Sequence, residues 1–243
     1  SQASISGYQA VLLAAAQLDK YFPLLMTAAG TIQPAKVVIM GAGVAGLQAI
    51  ATAKRLGAVI DVSDIRPAVK VQGESLGGRF IDFPMDESGE GEGGYARELS
   101  PEQLAAQQAA VRKKVVAADA VITTANVPGR PAPKLITADM VEEMRVGAVI
   151  VDMAVEQGGN CELSKAGETV RAHGVTIIGV ANLAATKPGD ASLMYSRNLL
   201  TLLLETLKEG KIELDLENEV IAGALITHIG EVRHEPTAQA LAG

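Results

Sequence analysis

Gly41, Gly43 and Gly46 stand in G-x-G-x-x-G spacing, and the acid Asp64 follows about 20 residues on. Glycines so placed handle phosphate. The first permits a tight turn, the second lets backbone approach a pyrophosphate, and the third lets a helix pack closely on a strand. Unpaired N–H groups at a helix start, together with the helix dipole, then favour the anion. A carboxylate at Asp64 can accept hydrogen bonds from both hydroxyls of an adenosine ribose and would repel the 2′-phosphate of NADP, so the pattern points to NAD. Arg66 can be read in two ways: its guanidinium could pair with such a phosphate or stack on adenine. Glycine turns also precede helices for packing alone, so the elements around the motif must decide.

Those elements are legible. Val37 to Met40 is a short apolar run suited to a strand buried on both faces. A helix from Val44 to Leu56 ends at Gly57, and a second strand, Val59 to Val62, runs out at Asp64. The turn residues Gly41, Ala42, Gly43, Val44, Ala45 and Gly46, with Asp64, Ile65 and Arg66, are the expected cofactor cradle.

Upstream, Ile5 to Phe22 predicts an apolar helix stopped by Pro23, and Thr27 to Pro34 a small-residue linker. Downstream come a short helix, Pro67 to Leu76, a Gly77-Gly78 turn and a strand, Arg79 to Phe83. Pro84 to Glu98 is glycine-rich, acidic and long for an α/β connection, which fits either a lid or a flexible insertion. Tyr95 favours a lid with Gly94, Tyr95 and Ala96 over the ligand, since a ring on a glycine-hinged loop can exclude water. Ser100, Pro101 and Gln103 form a capping box that starts a helix to Ala118. Strand Ala120 to Thr124, a helix capped by Thr137, strand Ala148 to Asp152 and strand Val175 to Val180 complete the alternation. The fold class is therefore α/β: a doubly wound, six-stranded parallel Rossmann domain in strand order 3-2-1-4-5-6.

Open sheets of this kind bind ligands at the carboxyl ends of their strands. The reactive end of the cofactor is thus expected among Thr124, Ala125, Asn126, Val127 and Pro128, and at Glu156, Gln157, Gly158, Gly159 and Asn160. For Glu156 and Gln157, loop-capping hydrogen bonds are an equally good reading. Cys161 has no histidine near it in sequence and reads as a buried, inert thiol. His173, His228 and His234 have no ligand spacing, and no metal site is supported.

A net charge of −7 without a basic cluster argues against nucleic acid, and a single cysteine excludes an internal disulfide framework and fits a reducing compartment. No apolar run reaches the roughly 18 to 20 residues of a membrane span, so direct insertion is not expected. The start at Ser1, without Met, reads as processed, cut or trimmed. Residues 190–243 form a long apolar helix and a tail too small for a second domain by itself; 1–30 form the leading helix and linker, and 31–189 the nucleotide-binding domain.

Taken together, TAAGTIQPAKVVIMGAGVAGLQAIATAKRLGAV, SDIRP, ESLGG, GGYARE, VITTANVPGRPAPKLI and VIVDMAVEQGGNCELS closely resemble the NAD(H)-binding domain I, in the alpha subunit, of proton-translocating NAD(P) transhydrogenases. The resemblance runs over nearly all of residues 3–235, and alanine dehydrogenases look like more distant relatives. It implies an oxidoreductase component that binds NAD(H) and passes hydride to NADP⁺ on a separate NADP-binding domain, while a membrane proton-channel domain couples that transfer to proton movement. It needs no catalytic side chain or metal, because holding two nicotinamides about 3 to 3.5 Å apart is the main work. It further implies a peripheral position on the cytoplasmic face of the inner membrane, or on the matrix side in mitochondria, while the exposed apolar helix faces expected from the sequence favour a homodimer. In that family a further Rossmann-like half precedes the first helix, and the C-terminal helix and tail return to complete it. Two other readings stay open: a non-catalytic NAD(H)-binding module or fragment, and an alanine dehydrogenase-like enzyme.

Overall fold

The computed structural model describes residues 2–82, 100–126 and 130–242. The chain divides into two compact units, Ser1–Pro188 and Gly189–Gly243. In the first, α1 (Gln2–Gln17) leads into a small hairpin of β1 (Leu25–Thr27) and β2 (Gly30–Ile32), followed by β3 (Lys36–Met40), α2 (Val44–Arg55), β4 (Val59–Ser63), α3 (Ala68–Ser75) and β5 (Arg79–Phe80). After the segment beyond Asp82 come α4 (Pro101–Val116), β6 (Ala120–Thr123), α5 (Ala138–Glu143), β7 (Val149–Asp152), β8 (Thr169–Ala172) and β9 (Val175–Ile178).

The sheet runs β5-β4-β3-β6-β7-β9-β8. Its first six strands are parallel and keep the expected 3-2-1-4-5-6 order, while β8 adds a seventh, antiparallel to β9. Apolar residues alternate between two cores. Val37, Ile39, Ile60, Ile122 and Val151 face α1 and α2, whereas Val38, Met40, Val121 and Ile150 face α4 and α5. Each such isoleucine, wholly buried, contributes about 1.5–3 kcal/mol of apolar transfer free energy. The second crossover helices lie on one side only, so α1 fills the face beneath β6 and β7 with Ala10, Val11 and Ala14. It crosses α2 at backbone contact: a Cβ on Gly7 would lie 2.0 Å from the Ala45 carbonyl oxygen.

Several expected boundaries change. The leading helix ends at Gln17, well before Pro23, because Asp19 and Lys20 are drawn into ion pairs with Arg145 and Asp119 at the amino end of the sheet. The expected small-residue linker overlaps the β1–β2 hairpin, which turns at Ala28-Ala29 and in which Gly30, at φ +114°, pairs with Thr27. The third strand pairs only over Arg79 and Phe80. The capping box of α4 forms as read, with the Gln103 N–H donating to Ser100 Oγ at 3.2 Å and the Ser100 N–H to Gln103 Oε1 at 3.1 Å.

The second unit holds α6 (Pro188–Thr206) from Gly189 onward, the hairpin β10 (Leu207–Lys208) and β11 (Lys211–Ile212), α7 (Glu219–Ala224), the hairpin β12 (Thr227–His228) and β13 (Glu231–Val232), and α8 (Glu235–Ala242). Leu199, Leu200, Leu203 and Leu204 of α6 are exposed.

Candidate functional site

The glycine turn sits where β3, β4 and β6 end side by side. Gly41 adopts φ +95°, a conformation costly for residues with a Cβ, and its N–H donates to the Ser63 carbonyl at 2.8 Å. Thr124 closes the other side: its N–H donates to the Met40 carbonyl at 2.7 Å and its hydroxyl to the Gly41 carbonyl at 2.9 Å. A Cβ on Gly46 would lie 1.9 Å from the Gly41 oxygen, so only glycine lets α2 start this close to β3. Gly43 differs from both. Its backbone is ordinary (φ −71°, ψ −167°), and a Cβ there would meet nothing nearer than Arg66 Nη2 at 3.7 Å. The space above Gly43 is therefore open, at the N-terminus of α2, which is the form a pyrophosphate cradle takes. The far end of α2 is a Schellman cap: Gly57, at φ +87°, donates to the Lys54 carbonyl, and Ala58 donates to that of Ala53.

Asp64 lies just past β4 with its side chain 4% exposed. Oδ2 accepts from the Ala42 N–H at 2.6 Å and Arg66 Nη2 at 2.8 Å. Oδ1 accepts from the Arg66 N–H at 2.8 Å and Arg66 Nε at 3.0 Å. All four acceptor positions of the carboxylate are in use. Sequence reasoning brought Asp64 and Arg66 to one place; the bidentate pair that links them was not anticipated.

Across the strand order reversal, the loops after β6 and β7 hang on a residue that sequence reasoning passed over. Asp152 is fully buried. Its Oδ1 accepts from the Thr123 hydroxyl at 2.9 Å and the Ala154 N–H at 3.0 Å, and its Oδ2 from the Cys161 N–H at 2.9 Å and the Ser164 hydroxyl at 2.6 Å. Gly159 must lack a side chain because a Cβ would lie 2.7 Å from Asp152 Oδ2. Asn160 is also buried, and its amide donates to the carbonyls of Ala125 and Pro133 at 2.8 and 2.9 Å. Gly159 and Asn160 thus brace the two loops from beneath. Asn126, Glu156, Gln157 and Gly158 are exposed on them, and the Gln157 carbonyl receives the Ala132 N–H at 2.7 Å. An acid closing a wholly apolar strand, as in VIVD, was the signal available for Asp152.

Burial pushes the Cys161 thiol up to about 11, with the nearby Asp152 charge acting in the same direction. His173 occupies a hairpin turn at φ +50°. Gly94, Tyr95, Ala96, Val127 and Pro128 lie outside the described residues, as does the lid segment. Among the described residues no cluster of histidine, cysteine or acid side chains could hold a metal, and no helix is long and apolar enough to cross a membrane.

The chain is 48% identical over 238 residues to the first portion of the NAD(P) transhydrogenase alpha subunit of Rhodospirillum rubrum, covering 96% of this chain and 62% of that protein. Alanine dehydrogenase of Mycolicibacterium smegmatis is 32% identical over 224 residues, 90% of this chain and 54% of the enzyme. The crystal structure of transhydrogenase from Sinorhizobium meliloti superposes with a TM-score of 0.78 at 45% identity, over 95% of this chain and 62% of that one. The chain spans about three-fifths of the length of these transhydrogenase relatives. The family model for the alanine dehydrogenase/PNT C-terminal domain matches residues 10–235. That match covers the glycine turn, both braced loops and the whole parallel sheet, and on it the chain belongs to the alanine dehydrogenase/PNT family.

Proposed function

We propose that this chain is the NAD(H)-binding component of a proton-translocating NAD(P) transhydrogenase, an oxidoreductase that passes hydride from NADH to NADP⁺ on a partner domain. The observation that carries the reading is the open cradle at Gly43 beside a carboxylate at Asp64, in a chain 48% identical to a transhydrogenase subunit and 32% to an alanine dehydrogenase.

Bound NADH would supply the hydride at its nicotinamide C4; the chain's own residues bind, aim and shield. Gly41, Ala42, Gly43, Val44, Ala45 and Gly46 offer the turn and the N–H groups of the α2 N-terminus to the pyrophosphate. Asp64, with Ile65 and Arg66, takes the adenosine ribose. Thr124, Ala125, Asn126, Val127, Pro128 and Gln157 line the nicotinamide end, and Gly94, Tyr95 and Ala96 cover it. No side chain is assigned a bond-making role, because direct transfer between two nicotinamides is a matter of placement and water exclusion. The expected setting is a homodimer at the inner face of a membrane, associated with the NADP-binding and membrane proton-channel domains; the exposed leucines of α6 supply apolar surface for such association.

The hydride acceptor tests this reading. With 4-deuterated NADH and the complementary NADP-binding component, deuterium is expected in NADPH. L-Alanine-dependent reduction of NAD⁺, without transfer to NADP⁺, would assign the chain to the dehydrogenase branch instead.

A further inference from the structure

We propose that Asn160 is a positioning residue for the nicotinamide end of the cofactor, a buried amide that staples together the two ends of the loop 125–133; the inference rests on the NAD(H) reading above. That loop, ANVPGRPAP, begins at Ala125 just past β6 and ends at Pro133, and the Asn160 amide donates to the carbonyls of both, at 2.8 and 2.9 Å. Other hydrogen bonds fasten the chain here to residues 157–160. The Ala132 N–H donates to the Gln157 carbonyl at 2.7 Å, and the N–H groups of Leu135 and Ile136 donate to the Asn160 carbonyl at 2.8 and 3.0 Å. Lys134 Nζ donates to the Gly158 carbonyl. All of these enter on the returning side of the loop. On the outgoing side, next to Asn126, the link to residues 157–160 among the described residues is the Asn160 amide.

The other half of the same amide separates this task from stability. Asn160 is wholly buried, and its Oδ1 has no hydrogen-bond partner among the described residues. An unmet buried acceptor destabilises a fold. A leucine there would have nearly the same shape and no acceptor to leave unmet, and the two carbonyls it releases are part-buried and can turn to water. Asp152, the other buried anchor, spends its acceptors on Thr123, Ala154, Cys161 and Ser164, none of them in the loop 125–133. Asp152 therefore holds the second loop to the strands, and Asn160 holds the first loop to the second. Being covered, the amide acts on a cofactor only through the exposed residues of the two loops, Asn126 and Gln157. Direct transfer is sensitive to such placement, since a shift of about 1 Å can cost about a hundredfold in rate.

The test compares the whole chain, as wild type and Asn160→Leu, in two measurements. Titration with ADP-ribose, which carries adenosine and pyrophosphate but no nicotinamide, reads the glycine turn and Asp64. Single-turnover hydride transfer from saturating NADH to NADP⁺ on the complementary NADP-binding component reads the nicotinamide end. Asn160→Leu is expected to melt by circular dichroism near the wild type, to bind ADP-ribose as the wild type does, and to transfer hydride about a hundredfold more slowly. A merely loosened fold would weaken ADP-ribose and slow transfer together. Asn160→Ser, whose single hydroxyl cannot span both carbonyls, replaces Asn160→Leu if the latter does not fold. Undiminished transfer in a folded variant, or an ADP-ribose affinity that falls in step with the rate, overturns the inference and leaves the NAD(H) reading intact. A wild type that binds NADH but transfers no hydride, or binds neither ligand, overturns the transhydrogenase reading and the inference with it.

Discussion

Gly43 and Gly46 look alike in the motif but do different work. At Gly46 a Cβ would fall 1.9 Å from a backbone oxygen, so Gly46→Ala must push α2 off β3. At Gly43 there is room and an unstrained backbone. Gly46→Ala is thus expected to lower the melting temperature and weaken NADH binding together. Gly43→Ala should keep the melting temperature and lose binding, because its methyl fills the phosphate's approach; a clear loss of stability in Gly43→Ala, or none in Gly46→Ala, would contradict the assignment. Cys161 makes a prediction in pH. Its thiol ionises at about 11 in the fold against 9.0 for an unperturbed group. The folded-state value is raised, so the stability it contributes is complete below about 9 and is lost as pH climbs through about 11. Denaturant midpoints should fall across that window by more than in Cys161→Ala, and alkylation at pH 8 should require unfolding.

At the scale of elements, the candidate site is two loops pinned to the carboxyl ends of β6 and β7. Asp152 accepts four hydrogen bonds from Thr123, Ala154, Cys161 and Ser164, so it joins β6, β7 and the loop carrying Gln157. Asp152→Asn turns one acceptor into a donor facing donors. It should cost about 2–3 kcal/mol in a urea titration, the range for a buried charged hydrogen bond left unmade; a cost within error of zero would mean that the loop is held otherwise. The strand order was legible because one strong β-α-β signal fixes the first strands and alternation dictates the rest. The glycine turn was legible because glycine spacing reports backbone geometry directly. Contacts distant in sequence were not, and Asp152 and the ion pairs that end α1 early belong to that class. The short hairpins were missed although their signal was present. His173-Gly174, Glu209-Gly210 and Ile229-Gly230 all place a residue near φ +50° before a glycine at φ +79°, the primed turn that matches strand twist.

At the scale of the molecule, a nucleotide-binding unit with two full cores is joined to a smaller unit whose helix α6 exposes leucines. The first unit carries every cradle residue assigned above. Its binding preference is therefore the most direct measure of the account, independent of partner domains and of turnover. Titration of the chain with NADH and NADPH side by side should show NADH bound about tenfold or more tightly, since a 2′-phosphate beside Asp64 sets like charges together. In the same titration Asp64→Ala should weaken NADH by about 1–3 kcal/mol. Equal affinity for the two dinucleotides, or an Asp64→Ala variant that binds NADH as the wild type does, would contradict the assignment of this site to NAD(H).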